Sequence, residues 1–347
     1  MSKLTLQDIS RSLNISKSTV SLVLNGRGDE IRVSKETQER ILEFAREHNY
    51  TVNRLARGLS RGISDLIGLI IPNISDSFYA RIATSIEKNA RLYGYNVVFS
   101  SSGESKDQES ELIQSMLDRQ VDGLIIASSQ KNDEDIRGLK RSNTPFVLID
   151  RRYPEIETNF VGVDNFDGIA SAVEQLILTG RKRIAFISLK PGLVALQERL
   201  EGYIQTLDIH GLSEDQSLVR ELAYENIESD MPHIIEELVH LPKGVDALVF
   251  ATHFLAAAGL RTLKKLGIKI PEEVAIISFG QMSAFDLIEP PISSVIQPTD
   301  ELGKKAVDLL VQNMKNENHG FENRHLKTCL LVRESCGLAS AVNKVLK

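Results

Sequence analysis

Short, mostly apolar runs recur between residues 66 and 278, and they restrict the fold of this chain more than any other feature. They fall at 66–71, 96–99, 123–127, 146–149, 184–188, 218–222, 247–250 and 274–278. Amphipathic stretches separate the first of them: 78–93, with Ile82, Ile86 and Ala90 on one face, then 108–117 and 133–141. Continuous apolar strands alternating with helices belong to parallel sheets that are covered on both faces. The same rhythm resumes after Ile149, so the pattern predicts two similar α/β lobes. Ligands of such sheets sit beyond the carboxyl ends of the strands. Two lobes face to face would bring those ends to one cleft, lined from 73–79, 100–102, 127–130, 150–152, 188–193, 251–254 and 279–282.

The first 60 residues follow a different rule. Thr5-Leu6-Gln7-Asp8 reads as a helix start, with Thr5 capping and Asp8 near the positive end of the dipole. Leu6, Ile9 and Leu13 follow at helical spacing, and Asn14 ends the helix. Ser16 caps a second helix over 17–24, whose Val20, Val23 and Leu24 face inward and whose Lys17, Ser18, Ser21 and Leu22 face out. Two short helices joined by a tight turn can lay the second in a DNA major groove. Asn25-Gly26 stops that helix, Ser34 caps a third, and Ile41, Leu42, Phe44 and Ala45 close a small core. A short basic segment, Val52-Asn53-Arg54-Leu55-Ala56-Arg57-Gly58-Leu59, comes next.

Charge separates the same two regions. Residues 1–62 hold 11 Lys/Arg against 7 Asp/Glu, a net +4, so the remainder of the 347 residues carries −10 of the total −6. Attraction for phosphate is therefore concentrated at one end, and the body repels nucleic acid. No apolar run approaches the roughly 18 residues of a membrane span, and no signal-type apolar segment opens the chain, so a cytoplasmic protein is expected. Cys329 and Cys336 read as reduced thiols, and neither they nor the seven histidines show metal-ligand spacing. No metal and no cofactor are expected.

Thr5-Leu6-Gln7-Asp8-Ile9, Val20-Ser21-Leu22-Val23-Leu24-Asn25-Gly26 and Asn53-Arg54-Leu55-Ala56-Arg57-Gly58-Leu59 together resemble the headpiece and hinge of the LacI/GalR transcriptional regulators, apart from a small insertion around 27–31. In the body, Ile71-Pro72-Asn73-Ile74-Ser75, Gln120-Val121-Asp122-Gly123, Gly162-Val163-Asp164-Asn165, Gln197-Glu198-Arg199-Leu200-Glu201-Gly202 and Ile296-Gln297-Pro298 extend the resemblance over nearly the whole chain. It implies an all-α helix-turn-helix headpiece (1–50), a hinge helix (51–62) and an α/β core like the periplasmic binding proteins (63–340). The core would comprise two parallel-sheet lobes, about 63–162 plus 297–325 and about 163–293 plus 326–340. The chain would cross between them near 150–164, 290–297 and 324–327. Thr5, Lys17, Ser18, Thr19, Ser21, Leu22, Asn25, Asn53, Arg54, Ala56, Arg57 and Leu59 become candidates for contact with a pseudo-palindromic operator. The partner set is that DNA, a small sugar or sugar-phosphate effector, and a second copy of the chain in a dimer or tetramer.

The candidate effector contacts are Asn73, Ser75, Phe78, Tyr79, Ser101, Ser128, Arg151, Asp164, Arg199, His253, Phe254, Gln281 and Gln297. Arg199 offers a bidentate fork for hydroxyls or phosphate; alternatively it is a surface residue paired to Glu201 or Asp164. His253 follows a buried strand and faces the cleft. The chain departs from the family pattern in carrying Leu22 where Arg is common, His253-Phe254 for Asn-Asp, and Gly280 for Asp. The insertion and Ala80-Arg81-Ile82-Ala83 look most like the fructose and sucrose repressor branch. Two arginines without those two acids predict an anionic effector, with a fructose phosphate first and free fructose or another monosaccharide next. Two other readings compete. One is a sugar-binding protein with no role at DNA, which leaves the headpiece unexplained. The other is an α/β enzyme, although no G-x-G-x-x-G follows the first strand and neither a P-loop nor a G-x-S-x-G elbow occurs.

Overall fold

A computed structural model describes residues 4–337 except 31, 49, 51–62, 191, 213–215, 242–243 and 316–319. The hinge segment therefore lies outside the described residues. The chain divides into two compact units, Met1–Ser64 and Asp65–Lys347.

In the first unit, α1 (Leu6–Leu13), α2 (Lys17–Leu24) and α3 (Lys35–Glu47) start where their caps dictate. Thr5 Oγ1 accepts from the Asp8 amide at 3.3 Å while the Asp8 carboxylate accepts from the Thr5 amide at 2.9 Å, a reciprocal capping box. Asn14 ends α1 at φ 52°, Ser16 caps α2 and Ser34 caps α3. Ile9, Val20, Val23 and Ile41 are buried together at the centre.

In the second unit, β1 (Leu66–Ile71), β2 (Asn96–Ser101), β3 (Gly123–Ile126), β4 (Phe146–Ile149), β5 (Phe160–Val163) and β11 (Asn323–Leu326) form one wholly parallel sheet, ordered β11-β5-β4-β3-β1-β2. A second sheet is ordered β12-β10-β9-β8-β6-β7. Its strands are β6 (Ile184–Leu189), β7 (Val219–Leu222), β8 (Ala247–Phe250), β9 (Ala275–Phe279), β10 (Ser293–Ile296) and β12 (Cys329–Leu331). All of these run parallel except β12, which is antiparallel to β10. Helices α4 (Ser77–Leu92), α5 (Lys106–Asp118), α6 (Asp133–Arg141) and α11 (Thr299–Met314) belong to the first lobe. The second has α7 (Asn165–Leu178), α8 (Val194–Ile209), α9 (Ile227–His240) and α10 (His253–Leu266). The chain passes from one lobe to the other between β5 and α7, between β10 and α11, and between β11 and β12.

The apolar-run reading finds the inner strands and misses β5, β10, β11 and β12. Gly162 interrupts β5, two serines open β10, and the two outermost strands alternate in exposure as half-covered edges do. Strand order reverses between β1 and β3 in one sheet and between β6 and β8 in the other, and residues following those strands face the crevice.

Helices α7 and α8 pack closely because Gly202 has no side chain. A Cβ there would lie 2.5 Å from the Phe166 carbonyl oxygen, a backbone atom that cannot swing away. Gly202→Ala is expected to destabilise the core by about 1–3 kcal/mol, read as a lower urea midpoint with an unchanged slope.

Candidate functional site

A cavity of about 70 Å3, open on one side, lies between the lobes. Asp76, Phe78 and Tyr79 reach it from the start of α4, with Asp150 and Arg151 from the end of β4. Leu193, Leu196 and Arg199 come from the start of α8, and Thr252, His253 and Phe254 from the start of α10. Phe279 and Gln297 close it. Apolar walls with a few oriented polar groups suit a small hydroxylated ligand.

Arg199 is buried in the second lobe. Its Nε donates to Asn165 Oδ1 at 2.9 Å and its Nη1 to the Ala251 carbonyl at 2.8 Å, while its guanidinium lies 3.7 Å from the centre of the Phe279 ring. Burial pushes its pKa down to about 10 against the attraction of Asp150, Tyr79 and Glu198, so it stays charged at neutral pH. Its Nη2 makes no hydrogen bond among the described residues, leaving one donor edge beside the cavity. The alternative surface pairing with Glu201 or Asp164 is absent there.

Arg151 differs from expectation. Its Nη1 and Nη2 grip both oxygens of Glu104 at 2.8 and 2.7 Å, and Nη1 also donates to the Ser128 carbonyl at 3.2 Å. Burial opposes its charge, but Tyr79, Glu104 and Asp150 outweigh that cost and hold it protonated. Its fork is occupied within its own lobe. Asp150, inside the expected cleft range 150–152 but not singled out as a contact, accepts from the Tyr79 hydroxyl at 2.7 Å. Burial and this acid raise the Tyr79 pKa, although Arg151 opposes them. The two family acids at 254 and 280 are absent, yet Asp76 and Asp150 put two other carboxylates on the cavity. The cavity is therefore not the acid-free, arginine-lined space expected: Asp76 and Asp150 line it, and Glu104 neutralises Arg151.

Contacts close the lobes on both sides of the cavity. His253 Nε2 lies 3.2 Å from Asp76 Oδ1, and Arg81 Nη2 donates to the Gln281 carbonyl at 3.2 Å. Opposite them, Arg152 Nη2 donates to Glu198 Oε1 at 3.0 Å, and Gln130 Oε1 accepts from the Val194 amide at 3.2 Å. Burial raises the Asp76 pKa, but His253, the Phe78 amide and Arg81 together hold it below its ordinary 3.8. A Cβ on Gly280, which sits at φ 84°, would lie 3.1 Å from His253 Nδ1. The histidine thus occupies space that a side chain at 280 would contest.

Several expected contacts lie elsewhere. Ser128 is buried and donates to Glu109 at 2.6 Å, because that inward-facing carboxylate needs donors. Asp164 caps α7 through the Asp167 amide at 2.9 Å, and Ser101 Oγ accepts from the Ile74 amide at 3.2 Å. Gln281 contributes its backbone carbonyl, with its side chain directed to Asp286. Asn73 and Ser75 line a neighbouring cavity that also touches His253 and Phe254. Asp76, Asp150 and Thr252 fall within the cleft ranges expected from the sequence without being singled out there, and Leu196 is new; only burial and pairing distinguish them. The described residues include no cluster of three or more His, Cys, Asp or Glu able to hold a metal, and both cysteines are free.

In the headpiece, Lys17 and Ser18 are exposed on α2, with Ser21 and Leu22 half-buried. The Thr5 hydroxyl is committed to Asp8, Thr19 to the Ser16 cap, and the Asn25 amide to the Ser21 carbonyl. The candidates Asn53, Arg54, Ala56, Arg57 and Leu59 lie outside the described residues.

Residues 5–53 match the family model "bacterial regulatory proteins, lacI family", and residues 64–332 match "periplasmic binding proteins and sugar binding domain of LacI family". Catabolite control protein A of Priestia megaterium is 31% identical over 90% of this chain and 93% of its own. The HTH-type transcriptional repressor CytR of Escherichia coli is 28% identical over 95% and 96%. Among solved structures, a transcriptional regulator CelR–cellobiose complex superposes with a TM-score of 0.72 at 28% identity, covering 96% of this chain and all of its own. The lac repressor dimer bound to operator matches in fold, with a TM-score of 0.84 at 23% identity over 96% of this chain and 99% of its own. These relatives do not single out the fructose and sucrose branch.

Because the folded pKa of Asp76 is depressed, its contribution to stability is present above 3.8 and lost as pH falls through the lower folded value. Asp76→Asn is expected to cost about 1–2 kcal/mol at pH 7 and progressively less below pH 4. Urea midpoints of both proteins across that range test this, and a pH-independent difference contradicts it.

Proposed function

We propose a function on one premise: the chain belongs to the LacI family of bacterial regulatory proteins, whose two models cover it nearly end to end. It is a DNA-binding transcriptional regulator with a sugar-binding core. On our reading it acts as a repressor and as a homodimer, and its effector is an uncharged sugar. Charge compensation in the cavity carries the last point. Arg151 is spent on Glu104, Asp76 and Asp150 face the ligand space, and Arg199 offers one donor edge. A phosphate would meet two carboxylates and one partly available guanidinium, whereas hydroxyls can donate to the acids and accept from Arg199. Ligand bridging both lobes holds them closed and alters the spacing of two hinges in a dimer, which couples the cavity to DNA.

Calorimetry with fructose, glucose and their phosphates tests the effector. The uncharged sugars are expected to bind at least about tenfold more tightly than their phosphates. Arg199→Lys, which keeps charge but loses the planar fork, should weaken binding by about tenfold or more. A phosphate preferred over its parent sugar overturns the reading.

At the DNA, Lys17, Ser18, Ser21 and Leu22 read the major groove, and the hinge residues Asn53, Arg54, Ala56, Arg57 and Leu59 meet the minor groove at the dyad. Leu22 cannot donate a hydrogen bond and favours an apolar contact such as a thymine methyl. Selection from randomised DNA is expected to return pseudo-palindromes, and Leu22→Arg should change the base preferred at one position of each half-site. Single half-sites would contradict the dimer, and an unchanged preference would contradict the placement of Leu22.

A further inference from the structure

Helices α4, α7 and α10 carry their own caps. Asp76, Asp164 and Thr252 each accept a hydrogen bond from an amide in the first turn of the helix that follows. Helix α8 does not: its N-cap residue is Leu193, a side chain with no acceptor. The amides of Leu196 and Gln197 turn back to the Leu193 carbonyl at 3.0 and 3.2 Å. The Val194 amide, one of the first-turn donors that a helix cannot satisfy internally, is met by Gln130 Oε1 of the first lobe at 3.2 Å.

Gln130 is aimed there by its own lobe. It stands in the left-handed region at φ 57°, which a residue other than glycine holds only where its surroundings impose it. Buried Glu109 does so: its two oxygens accept from the Ser128 hydroxyl and the Ser129 amide, both at 2.6 Å. Ser128 Oγ in turn accepts from the Gln130 amide at 3.1 Å. Gln130 Nε2 donates to the Arg152 carbonyl, which leaves Oε1 directed at α8.

We infer that Gln130 is a positioning residue that caps α8 across the cleft, so that closure of the lobes completes the first turn of this helix. Opening takes the acceptor away from Val194. It leaves uncapped the turn that carries Leu196 into the cavity and leads on to Arg199. The link from Arg152 to Glu198 also reaches this helix, but it joins two side chains and satisfies no backbone amide. A ligand resting on Leu196 or Arg199 therefore gains from Gln130 without touching it, whatever the ligand's chemistry.

The test is amide hydrogen exchange on the full chain, comparing it with Gln130→Ala, Leu193→Ser and the double variant. Gln130→Ala is expected to speed exchange at residues 196–199 about fivefold, the worth of one cap. Residues 256–259 of α10, which Thr252 caps from its own lobe, should exchange at an unchanged rate. Leu193 has the extended backbone of an N-cap residue, φ −107° and ψ 124°, so a serine there gives α8 an acceptor of its own. In the Leu193→Ser background, Gln130→Ala should then have no further effect at 196–199, a coupling that loss of packing alone would not produce. Unchanged exchange at 196–199 in Gln130→Ala overturns the cap. So does an equal rise at 256–259, which would be a general loosening, or the same fivefold rise in both backgrounds.

Discussion

The guanidinium of Arg199 is buried where three elements of the second lobe converge, and the cleft takes its shape from what that burial demands. An unpaired charge in such a place costs several kcal/mol. The cost is offset by hydrogen bonds to Asn165 and the Ala251 carbonyl, by the face of Phe279, and by the field of Asp150 from the other lobe. Meeting those demands fixes the first turn of α7, the end of β8 and the end of β9 against one another. Asn165 in turn donates to Glu198, which accepts from Arg152 across the cleft. Thr252 and His253 follow directly from β8, and Gly280 from β9. One buried charge therefore aligns ligand-facing groups that are remote in sequence.

Arg151 and Arg199 are both buried, but they have opposite roles. Arg151 stands just past β4 and Arg199 in the second turn of α8. Glu104, however, lies on the loop after β2, the neighbour of β1 in the sheet, and reaches Arg151 with both carboxylate oxygens. Bidentate pairing neutralises the guanidinium and occupies most of its donors. The sign of the cleft thus depends on a partner 47 residues away. Position near a strand end is shared by Arg151, Asp150 and Glu104 and does not reveal which of them pair; the bidentate contact does.

The sequence made the architecture legible because its cause is local. Strands buried on both faces must be apolar throughout, and capped helices begin at Thr5-Leu6, Ser16-Lys17 and Ser34-Lys35, where cap residues stand. The outer strands were illegible for the converse reason: Asn323–Leu326 and Cys329–Leu331 are half-exposed and join their sheets through backbone hydrogen bonds that leave little mark on composition. Among the site residues, Arg199, His253, Phe254 and Gln297 could be placed from strand ends and family motifs. Ser128 and Asp164 stand at equally suggestive positions. They turn away because Glu109 and the first turn of α7 claim their hydroxyl and carboxylate. Those competing partners are tertiary facts.

The same contacts set the energetics of closure. Among the described residues, four polar links join the lobes around the cavity: Asp76 with His253, Arg81 with the Gln281 carbonyl, Arg152 with Glu198, and Gln130 with the Val194 amide. Arg152 with Glu198 is a partly exposed pair of the kind that contributes about 0.2–1 kcal/mol, whereas Asp76 with His253 is largely buried. These links favour the closed arrangement, and a ligand holding both lobes adds to them. Asp76 and His253 stand at the centre of this balance, since they form one latch and also line the ligand's space. A ligand hydroxyl that bonds to Asp76 competes with His253, so only groups reaching residues of both lobes at once gain more than the latch they displace.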